Sequence, residues 1–406
     1  MDSKENFKRL ACDSNQDVWS RGQYIRLETV GRRTGRPHPV IVRYIALNGN
    51  IIVFPENSGK QDWVLNILEN PSVKVYSEYG VFECLGQLKS VKSLSDPALS
   101  IFTRKYGIEI VRSRYWGQTK YVELKPVGKH SAPSYEQLVY GDLEAAFDSI
   151  AEKYDEHIFG NPVNSWLRAV SVGLLTQLFK PGDTVLEIGC GTGTETISLL
   201  TRGINVIASD ISARMLSVLM RKAEALGVGH RLNVVQACAS EVADRLLENG
   251  FKLVDGAYSN YGAVNTEPNL EKMVKGLHKI VKPEGIVELG VWNKYCITEM
   301  LGYILRMRPT MAVARLRNPV PIGKSRFCVS SWAYTVGELT RIMQPYFKLQ
   351  RVQGVVITIP PSNLTRYLPP KPWIDLLKKL DVNLGRIYPT SRLGDHYLAV
   401  FRRVET

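Results

Sequence analysis

The sequence predicts a two-domain protein in which a small β-barrel precedes a doubly wound α/β domain. Three observations predict this arrangement. Residues 24–130 contain short runs rich in β-branched and aromatic residues, which favour strands. From Leu143 onward, apolar runs of strand length alternate with segments of helix length, which indicates a largely parallel sheet. A glycine-rich turn at 189–193 then lies between one such strand and the next helix.

The N-terminal strands are short and regularly spaced. We predict strands at Tyr24–Val30, Pro39–Leu47, Asn50–Phe54, Val73–Glu78, Val81–Leu88 and Lys120–Leu124. Asn48-Gly49 is a strong signal for a two-residue hairpin turn. One short helix is predicted over 62–70, before Pro71. Several strands with one inserted helix indicate a small barrel.

The C-terminal pattern indicates seven strands. We predict them at Thr184–Ile188, Asn205–Ser209, Asn233–Gln236, Val254–Tyr258, Ile286–Val291, Gly354–Ile359 and Tyr397–Phe401. Such a doubly wound, Rossmann-like sheet binds ligands at the carboxyl ends of its strands. Prolines, glycine and serines cluster at 126–140, which marks a linker. We therefore predict domains at 1–130 and 131–406.

The glycine-rich turn has the chemistry of a cofactor site. Three glycines follow an apolar strand at alternate positions, at Gly189, Gly191 and Gly193. Because glycine has no Cβ, the backbone of such a turn can pass close beneath a ligand. Asp210 ends the next apolar run, where a carboxylate can accept both hydroxyls of a ribose. The spacing differs from the G-x-G-x-x-G of dinucleotide-binding folds, so we predict another nucleoside-bearing cofactor.

With Glu187 before the first glycine, the turn resembles motif I, E/D-x-G-x-G-x-G, of the class I S-adenosylmethionine-dependent methyltransferases. The resemblance extends from Glu144 to Phe401 and implies S-adenosylmethionine as the cofactor. It implies that Asp210 binds the ribose and that Glu187 orders the loop and the amino-acid end of the cofactor. The cofactor residues that it implies are Tyr154, Glu187, Gly189, Gly191, Gly193, Asp210, Ile211, Ala237, Cys238 and Ala239.

The methyl acceptor is expected beside the end of the fourth strand. Tyr258, Asn260 and Asn265 are the candidates for contacts with it, and loop capping is the alternative role of each. Asn260 is followed by Tyr261 and Gly262, so this strand end is not N-P-P-Y, the motif of methyltransferases that act on nucleic-acid bases or protein amides. The sequence here presents no general base. None is needed when the acceptor is already nucleophilic, because such an acceptor reacts largely through positioning.

A basic segment around 292–330 is predicted to form a substrate lid. The stretch from Gly302 to Arg326 holds six Lys or Arg and no acid, with Met and Leu between them. Such a surface suits a lipid-like or quinone-like acceptor and peripheral contact with a membrane. A helix with a solvated basic face is the alternative. The net charge of +13 alone would favour RNA, but no aromatic stacking platform is evident, so we predict no nucleic-acid partner.

The N-terminal domain carries a second resemblance. Its residues 29–37, followed by Lys60-x-x-Trp63-x-x-Asn66, look like the split β-barrel, FMN-binding-like nitroreductases that use a deazaflavin. The resemblance implies that one group meets the cofactor phosphate, namely Arg32, Arg33 and Arg36, and that another lines the cofactor cleft, namely Lys60, Trp63 and Asn66. Clustered guanidinium groups suit an oxyanion. The bound cofactor would be a deazaflavin or FMN.

Two functions follow for the chain. In the first, the C-terminal domain methylates a small-molecule or lipid-like acceptor, and the barrel reduces the same or a related substrate. In the alternative, the barrel is a non-catalytic binding module or forms a homodimer. The six cysteines are scattered without a C-x-x-C pair, which argues against a metal site and for the cytoplasm.

Overall fold

The computed structural model describes residues 24–33, 35–55, 61–77, 80–91, 93, 96–108, 111–112, 115, 120–130, 135–316, 319–324 and 327–405. The chain divides into two compact units. Unit 1 comprises the described residues within 1–138 and 317–328, and unit 2 comprises those within 139–316 and 329–406. Within the described residues, no helix is both long and apolar enough to cross a membrane.

Unit 1 is built around an antiparallel sheet of seven strands. In chain order these are β1 (Tyr24–Val30), β2 (Pro37–Arg43), β3 (Ile45–Leu47), β4 (Asn50–Val53), β5 (Ser72–Ser77), β6 (Gly80–Ser90) and β7 (Lys120–His130). Their order across the sheet is β2-β1-β5-β6-β7-β4-β3. Helix α1 (Asp62–Glu69) connects β4 to β5, and helix α2 (Pro97–Tyr106) follows β6.

The hairpin predicted at Asn48-Gly49 is confirmed. Leu47 pairs with Asn50, and the two turn residues have positive φ angles of 52° and 76°. Such angles are those of a type I′ turn, whose twist matches that of the flanking strands.

The single strand predicted over 39–47 is wrong, because Tyr44 separates β2 from β3. The Tyr44 amide donates to the Tyr106 hydroxyl at 3.0 Å, and that hydroxyl donates to the Tyr44 carbonyl at 2.6 Å. Both backbone groups of Tyr44 are therefore satisfied outside the sheet. As a result, β2 and β3 lie at opposite edges of the seven-stranded sheet.

Unit 2 contains a mixed sheet of seven strands. These are β8 (Thr184–Ile188), β9 (Asn205–Asp210), β10 (Leu232–Gln236), β11 (Val254–Asn260), β12 (Val281–Trp292), β15 (Phe347–Val355) and β16 (His396–Arg403). Their order is β10-β9-β8-β11-β12-β16-β15. The five strands from β8 to β12 are parallel, and β16 runs antiparallel to both of its neighbours. A separate sheet consists of the two strands β13 (Val320–Lys324) and β14 (Phe327–Ser331), and β13 belongs to unit 1.

The sixth strand differs from the prediction of 354–359, since it covers 347–355. Val356 has a φ of 60°, outside the range of a strand. The buried carboxylate of Asp381 accepts hydrogen bonds from the amides of Val356 at 2.8 Å and Thr358 at 3.0 Å. These amides are bound by a side chain instead of a neighbouring strand, so the ladder ends before them.

Helices cover both faces of this sheet and bury its apolar side chains. The helices are α3 (Tyr135–Ile150), α4 (Tyr154–Phe159), α5 (Pro162–Leu178), α6 (Thr194–Leu200), α7 (Ala213–Ala225), α8 (Val242–Glu248), α9 (Ala263–Thr266), α10 (Leu270–Ile280), α11 (Ile297–Ile304), α12 (Pro309–Ala312), α13 (Val336–Met343) and α14 (Lys371–Leu384). Because β8 to β11 are parallel, the turns after their carboxyl ends converge at one edge of the sheet.

Candidate functional site

The glycine-rich turn after β8 has the backbone that only glycine adopts easily. Gly189, Gly191 and Gly193 have φ angles of 72°, 54° and 82°. A Cβ on Gly189 would overlap Ala263, and one on Gly193 would overlap Leu219. At Gly191 the nearest atom would be Cε1 of Tyr154 at 3.7 Å, an ordinary contact distance, and both residues line the cavity described below. Two of the glycines thus permit close packing, and the third borders the cavity.

Asp210 connects the end of β9 to this turn. One carboxylate oxygen accepts from the Gly191 amide at 2.8 Å, and the other accepts from the Ser212 amide at 2.9 Å. Burial raises the pKa of Asp210, whereas the backbone hydrogen bonds lower it. Each carboxylate oxygen can accept a second hydrogen bond, so the side chain can hold the turn and still bind a hydroxyl pair.

A cavity lies at the carboxyl edge of the sheet, beside the turn and Asp210. Eight of the ten predicted cofactor residues line it, namely Tyr154, Gly189, Gly191, Asp210, Ile211, Ala237, Cys238 and Ala239. Burial raises the pKa of the Cys238 thiol, which therefore remains protonated and packs as a small apolar residue. The cavity thus joins residues from the ends of three neighbouring strands, β8, β9 and β10.

Glu187 and Gly193 do not line the cavity. The Glu187 carboxylate is buried and accepts hydrogen bonds from the hydroxyl of Thr196 and from that of Tyr258, the latter at 2.8 Å. Burial, together with the nearby Glu195, raises the pKa of Glu187 to about 8. Glu187 thus lies beneath the turn, where it ties β8 to α6 and β11.

The three predicted acceptor contacts occupy different places. Tyr258 is fully buried in the core beside Glu187, and Asn265 is held by three backbone hydrogen bonds to Trp292 and Trp332. Asn260 does line the cavity, and its amide donates to Glu288 at 3.1 Å. Only Asn260 of the three is therefore placed to meet a ligand in this cavity.

Sequence reasoning missed a cation that lines the same cavity. Arg168, on α5, donates through Nη1 to both carboxylate oxygens of the buried Glu195, at 2.8 and 2.7 Å. Its guanidinium carbon lies 5.0 Å from the ring centroid of Tyr261. Tyr261 has a φ of 54°, which is rare for an aromatic residue and is often found at functional sites. No local pattern around Arg168 distinguishes it from an ordinary helical arginine.

An acid that sequence reasoning did not find also lines the cavity. Glu267 accepts from the Tyr140 hydroxyl at 2.5 Å and from the Ser240 amide at 3.1 Å. Glu267 and Tyr140 both line the cavity next to the 237–239 turn. This acid therefore lies near the 237–239 turn, and it comes from the segment after α9. Among the described residues, no group of three His, Cys, Asp or Glu is placed to hold a metal ion.

In unit 1, the arginine turn is attached to α1. The Arg32 side chain donates to Asp62 at 2.9 Å, and both its backbone amide and its Nη1 donate to Asn66 Oδ1, at 3.1 and 3.2 Å. Asn66 and Trp63 are buried. The side chains of Arg33 and Arg36 are exposed, and Lys60 lies outside the described residues. The structure thus holds Arg32 and leaves Arg33 and Arg36 facing solvent.

The basic segment of 292–330 does not present all of its arginines to solvent. Arg315 is buried and forms ion pairs with Glu299 and Asp395. The guanidinium of Arg306 lies over the ring of Tyr367, 3.7 Å from its centroid, and Arg308 is exposed. Arg317 lies outside the described part of the chain.

Comparison with known proteins gives a match for each unit. Residues 185–285 match the family model of a methyltransferase domain, and residues 7–90 match that of the F420H2-dependent quinone reductases. The fold, the cavity and the first match define unit 2 as a methyltransferase domain. The N-terminal side of the chain is similar to the F420H2-dependent quinone reductases. Both predicted resemblances are confirmed, and the matches support S-adenosylmethionine and a deazaflavin as cofactors.

Three relatives are similar to part of this chain. An uncharacterized protein of Methanocaldococcus jannaschii is 31% identical over 40% of this chain and 57% of its own. The tRNA 5-carboxymethoxyuridine methyltransferase of Escherichia coli is 26% identical over 37% of this chain and 57% of its own. The demethylmenaquinone methyltransferase of a Mycobacterium species is 24% identical over 50% of this chain and 83% of its own. The chain thus spans little more than half the length of the first two.

Proposed function

We propose that unit 2 transfers the methyl group of S-adenosylmethionine, bound in the cavity beside Asp210, to a small-molecule or lipid-like acceptor. The observation that carries this proposal is the cavity itself, in which a glycine turn, a carboxylate and the 237–239 turn border one space. The ribose binds Asp210, and the adenine lies along residues 237–239. The positively charged Arg168 suits the carboxylate at the amino-acid end of the cofactor. Asn260 and Tyr261 remain for the acceptor.

The test is calorimetric titration of the full chain with S-adenosylmethionine. Gly191→Arg should abolish binding, because its long side chain would occupy part of the cavity that Gly191 lines. Gly227→Arg is the matched control, since Gly227 is exposed, also has a positive φ, of 70°, and has no atom within 4 Å of an added Cβ. The control should bind as the wild type does. Equal affinity in all three proteins would contradict the proposed site.

We further propose that residues 1–130 form a split β-barrel domain that binds a deazaflavin and reduces the acceptor or a related quinone-like compound. The support is the family match together with the exposure of Arg33 and Arg36 at this turn, because guanidinium groups suit a phosphate. The Arg32 side chain is held by hydrogen bonds to Asp62 and Asn66. Arg32 would therefore keep the backbone of this turn in place when the ligand binds. Residues 131–406 form the methyltransferase domain, with the segment 292–330 as its lid.

Deazaflavin and FMN titrations, followed by absorbance, test this second role. In the full chain, the double variant Arg33→Gln/Arg36→Gln should weaken deazaflavin binding at least tenfold, because each charge-assisted hydrogen bond contributes on the order of 1.5–3 kcal/mol. Arg104→Gln, an exposed residue of α2, should leave binding unchanged. If neither cofactor binds the wild type, the alternative stands, in which the barrel is a binding or homodimerisation module.

The acceptor that these observations favour is apolar and quinone-like. One relative is named for demethylmenaquinone and one matched family for quinone reduction. Exposed apolar side chains also surround the basic residues after α11, at Leu301, Ile304, Leu305 and Met307. They suit a lipid-like acceptor and peripheral membrane contact. The tRNA-directed relative supports a second candidate, a nucleic-acid acceptor, which methylation assays with transfer RNA would test.

A further inference from the structure

Helix α3 covers the cofactor cavity of unit 2. Three of its side chains line that cavity and recur at helical spacing, namely Tyr140, Leu143 and Phe147. Residues from the strand ends that also line the cavity are buried, since Asp210 is 8% exposed and Asn260 is 6% exposed. A ligand of the size of S-adenosylmethionine therefore reaches these residues only when an element around the cavity moves.

A second row of side chains attaches α3 to the strand ends. Three members of this row, four residues apart, each form a hydrogen bond to a residue that ends or follows a different strand, β9, β10 or β11. The pairs are Asp148 with Ser212 at 2.6 Å, Glu144 with Gln236 at 3.0 Å, and Tyr140 with Glu267 at 2.5 Å. Side chains four residues apart lie on one face of a helix. We call residues 139–150, the part of α3 that belongs to unit 2, the strap.

The C-terminal end of the strap is attached to the core. Ala151 and Met215 of α7 are buried in one apolar cluster. The α-helix is interrupted at this point, because a 3₁₀ helix of three residues starts at Ala151, before α4. On α4, Asp155 accepts a hydrogen bond from the Thr192 hydroxyl at 2.5 Å, which attaches α4 to the glycine turn. A short 3₁₀ helix between two α-helices often marks a hinge.

The other end of the strap is attached through the Tyr140 hydroxyl. Burial and the adjacent Glu267 raise the pKa of Tyr140, so its hydroxyl remains protonated and donates to the carboxylate. The same hydroxyl lies 2.8 Å from Oγ of Ser240. Tyr140 and Glu267 both line the cavity, so their hydrogen bond forms part of its wall. A strap released at this bond can turn about its attached end and uncover the cavity.

We propose that the strap is a gate for the cofactor, which turns about residues 151–153 to exchange S-adenosylmethionine for S-adenosylhomocysteine, and that the Tyr140–Glu267 hydrogen bond is its latch. This inference rests on the proposed function of unit 2. Tyr140 and Glu267 act here as positioning residues, because they set the fraction of molecules in which the cavity is open. Gates of this kind exchange their ligands through a minor open state, and a weaker latch increases the population of that state.

A latch has a kinetic signature that differs from that of a direct cofactor contact. The latch holds the strap both with and without ligand, so its loss raises the association and dissociation rates together and hardly changes the dissociation constant. Loss of a direct contact mainly raises the dissociation rate. Rate measurements therefore separate the two roles that Tyr140 could have at the cavity wall.

The first test measures the binding of S-adenosylhomocysteine to the full chain by surface plasmon resonance. Tyr140→Phe removes the hydroxyl and keeps the ring that lines the cavity. Both rate constants should rise about tenfold, because the loss of one such hydrogen bond shifts an equilibrium by roughly that factor. The dissociation constant should stay within about threefold of that of the wild type. Tyr388→Phe, at a position that is 73% exposed, is the matched control and should keep the wild-type rates.

The second test follows the strap by hydrogen exchange and mass spectrometry. In the ligand-free wild type, amides of the strap should exchange at least tenfold faster than those of α10, whose apolar residues are buried in the core. S-adenosylhomocysteine should slow the exchange of the strap. Tyr140→Phe should speed the exchange of the strap further and leave that of α10 unchanged.

Three outcomes would overturn the inference. The first is a Tyr140→Phe protein with an unchanged association rate, whether or not its dissociation rate rises. The second is a ligand-free wild type in which the strap is as protected as α10, and the third is exchange of the strap that Tyr140→Phe does not alter. A wild type that binds neither S-adenosylmethionine nor S-adenosylhomocysteine would instead refute the proposed function, and the exchange measurements would still decide whether the strap opens.

Discussion

Glu187, the acid that begins motif I, is part of the support beneath the cofactor turn. It is 3% exposed, and its hydrogen bonds reach Thr196 on α6 and Tyr258 on β11. Asp210, by contrast, is at the cavity surface. The two acids that the resemblance assigns to the cofactor therefore have different positions. Glu187 joins the elements that carry the turn, and Asp210 lines the cavity.

The raised pKa of Glu187 gives a prediction at the residue scale. Its folded-state pKa is about 8, against 4.5 for an unperturbed glutamate, so the folded protein holds the proton longer than the unfolded chain does. The stabilisation is therefore fully present below pH 4.5 and is lost as pH rises through 8. Between these values the free energy of unfolding of unit 2 should fall by at most a few kcal/mol.

Glu187→Gln should flatten this dependence, because the amide does not titrate. The measurement is the midpoint of thermal unfolding between pH 5 and 8, for the transition that S-adenosylmethionine raises. All other titratable groups are common to the two proteins. The difference between their slopes of unfolding midpoint against pH therefore reports the Glu187 carboxyl group. Parallel slopes for the wild type and the variant would show that Glu187 is ionised in the folded protein.

At the scale of elements, a buried ion pair joins two helices beside the cavity. Arg168 on α5 and Glu195 on α6 are 13% and 1% exposed, and the Ser171 hydroxyl also donates to Glu195 at 3.0 Å. The opposite charge of Glu195 contributes to a raised pKa of Arg168. Since α6 begins directly after the glycine turn, this ion pair connects the turn to the helix that carries Arg168.

Removal of one partner should destabilise unit 2 strongly. Glu195→Ala leaves the guanidinium of Arg168 without its carboxylate in a site with little water, and breaking such a pair costs about 3–5 kcal/mol. Glu195→Gln should cost less, because its amide oxygen still accepts a hydrogen bond. The measurement is urea unfolding monitored for the transition that responds to S-adenosylmethionine.

The matched control is Glu152→Ala. Glu152 pairs with Arg221 at 2.7 Å on the surface, where both side chains are more than half exposed. A pair of this kind contributes less than about 1 kcal/mol. Similar losses for the Glu195 and Glu152 variants would indicate that water reaches the Arg168–Glu195 pair and screens it.

At the scale of the whole molecule, unit 2 exposes large apolar side chains in two places. Leu305 and Met307 after α11 are 82% and 84% exposed, and on α14 Trp373 is 62% exposed. An exposed basic side chain, Arg308, follows Met307 directly, and Lys379 is an exposed residue of the helix that carries Trp373. Exposed apolar side chains among basic ones are typical of surfaces that bind anionic membranes.

Vesicle binding tests this surface. The wild type should bind vesicles that contain phosphatidylglycerol at low salt and should bind weakly to neutral vesicles, because each near-surface cation contributes about 1 kcal/mol. Leu305→Ser/Met307→Ser and Arg306→Gln/Arg308→Gln should each reduce cosedimentation at least tenfold. Salt should weaken wild-type binding, since charges are screened over about 10 Å at 0.1 M.

Leu226→Ser controls for the loss of an exposed leucine elsewhere, because Leu226 is 57% exposed after α7. It should bind anionic vesicles as the wild type does. Wild-type protein that stays in solution with anionic vesicles at low salt would contradict the membrane-proximal role, and a water-soluble acceptor would then be favoured.

The sequence by itself determined the features that are encoded within short stretches. A strand, three glycines and a helix follow one another within 184–200, and Asp210 ends the adjacent parallel strand, so their meeting follows from local pattern and strand order. The hairpin at Asn48-Gly49 was predictable for the same reason. The predicted strand bounds were wrong where a side chain from far along the chain binds the backbone. Tyr106 binds the backbone of Tyr44 in this way, and Asp381 binds that of Val356.

Only the tertiary structure decided which side chains face the cavity. Tyr258 and Asn260 are two residues apart on one strand, yet Tyr258 is buried in the core and Asn260 lines the cavity. Arg168 and His396 both pack against Tyr261, although 228 residues separate them in the sequence. The burial of an ion pair and the direction of a side chain depend on what packs against them, and packing partners separated this far in sequence leave no local pattern.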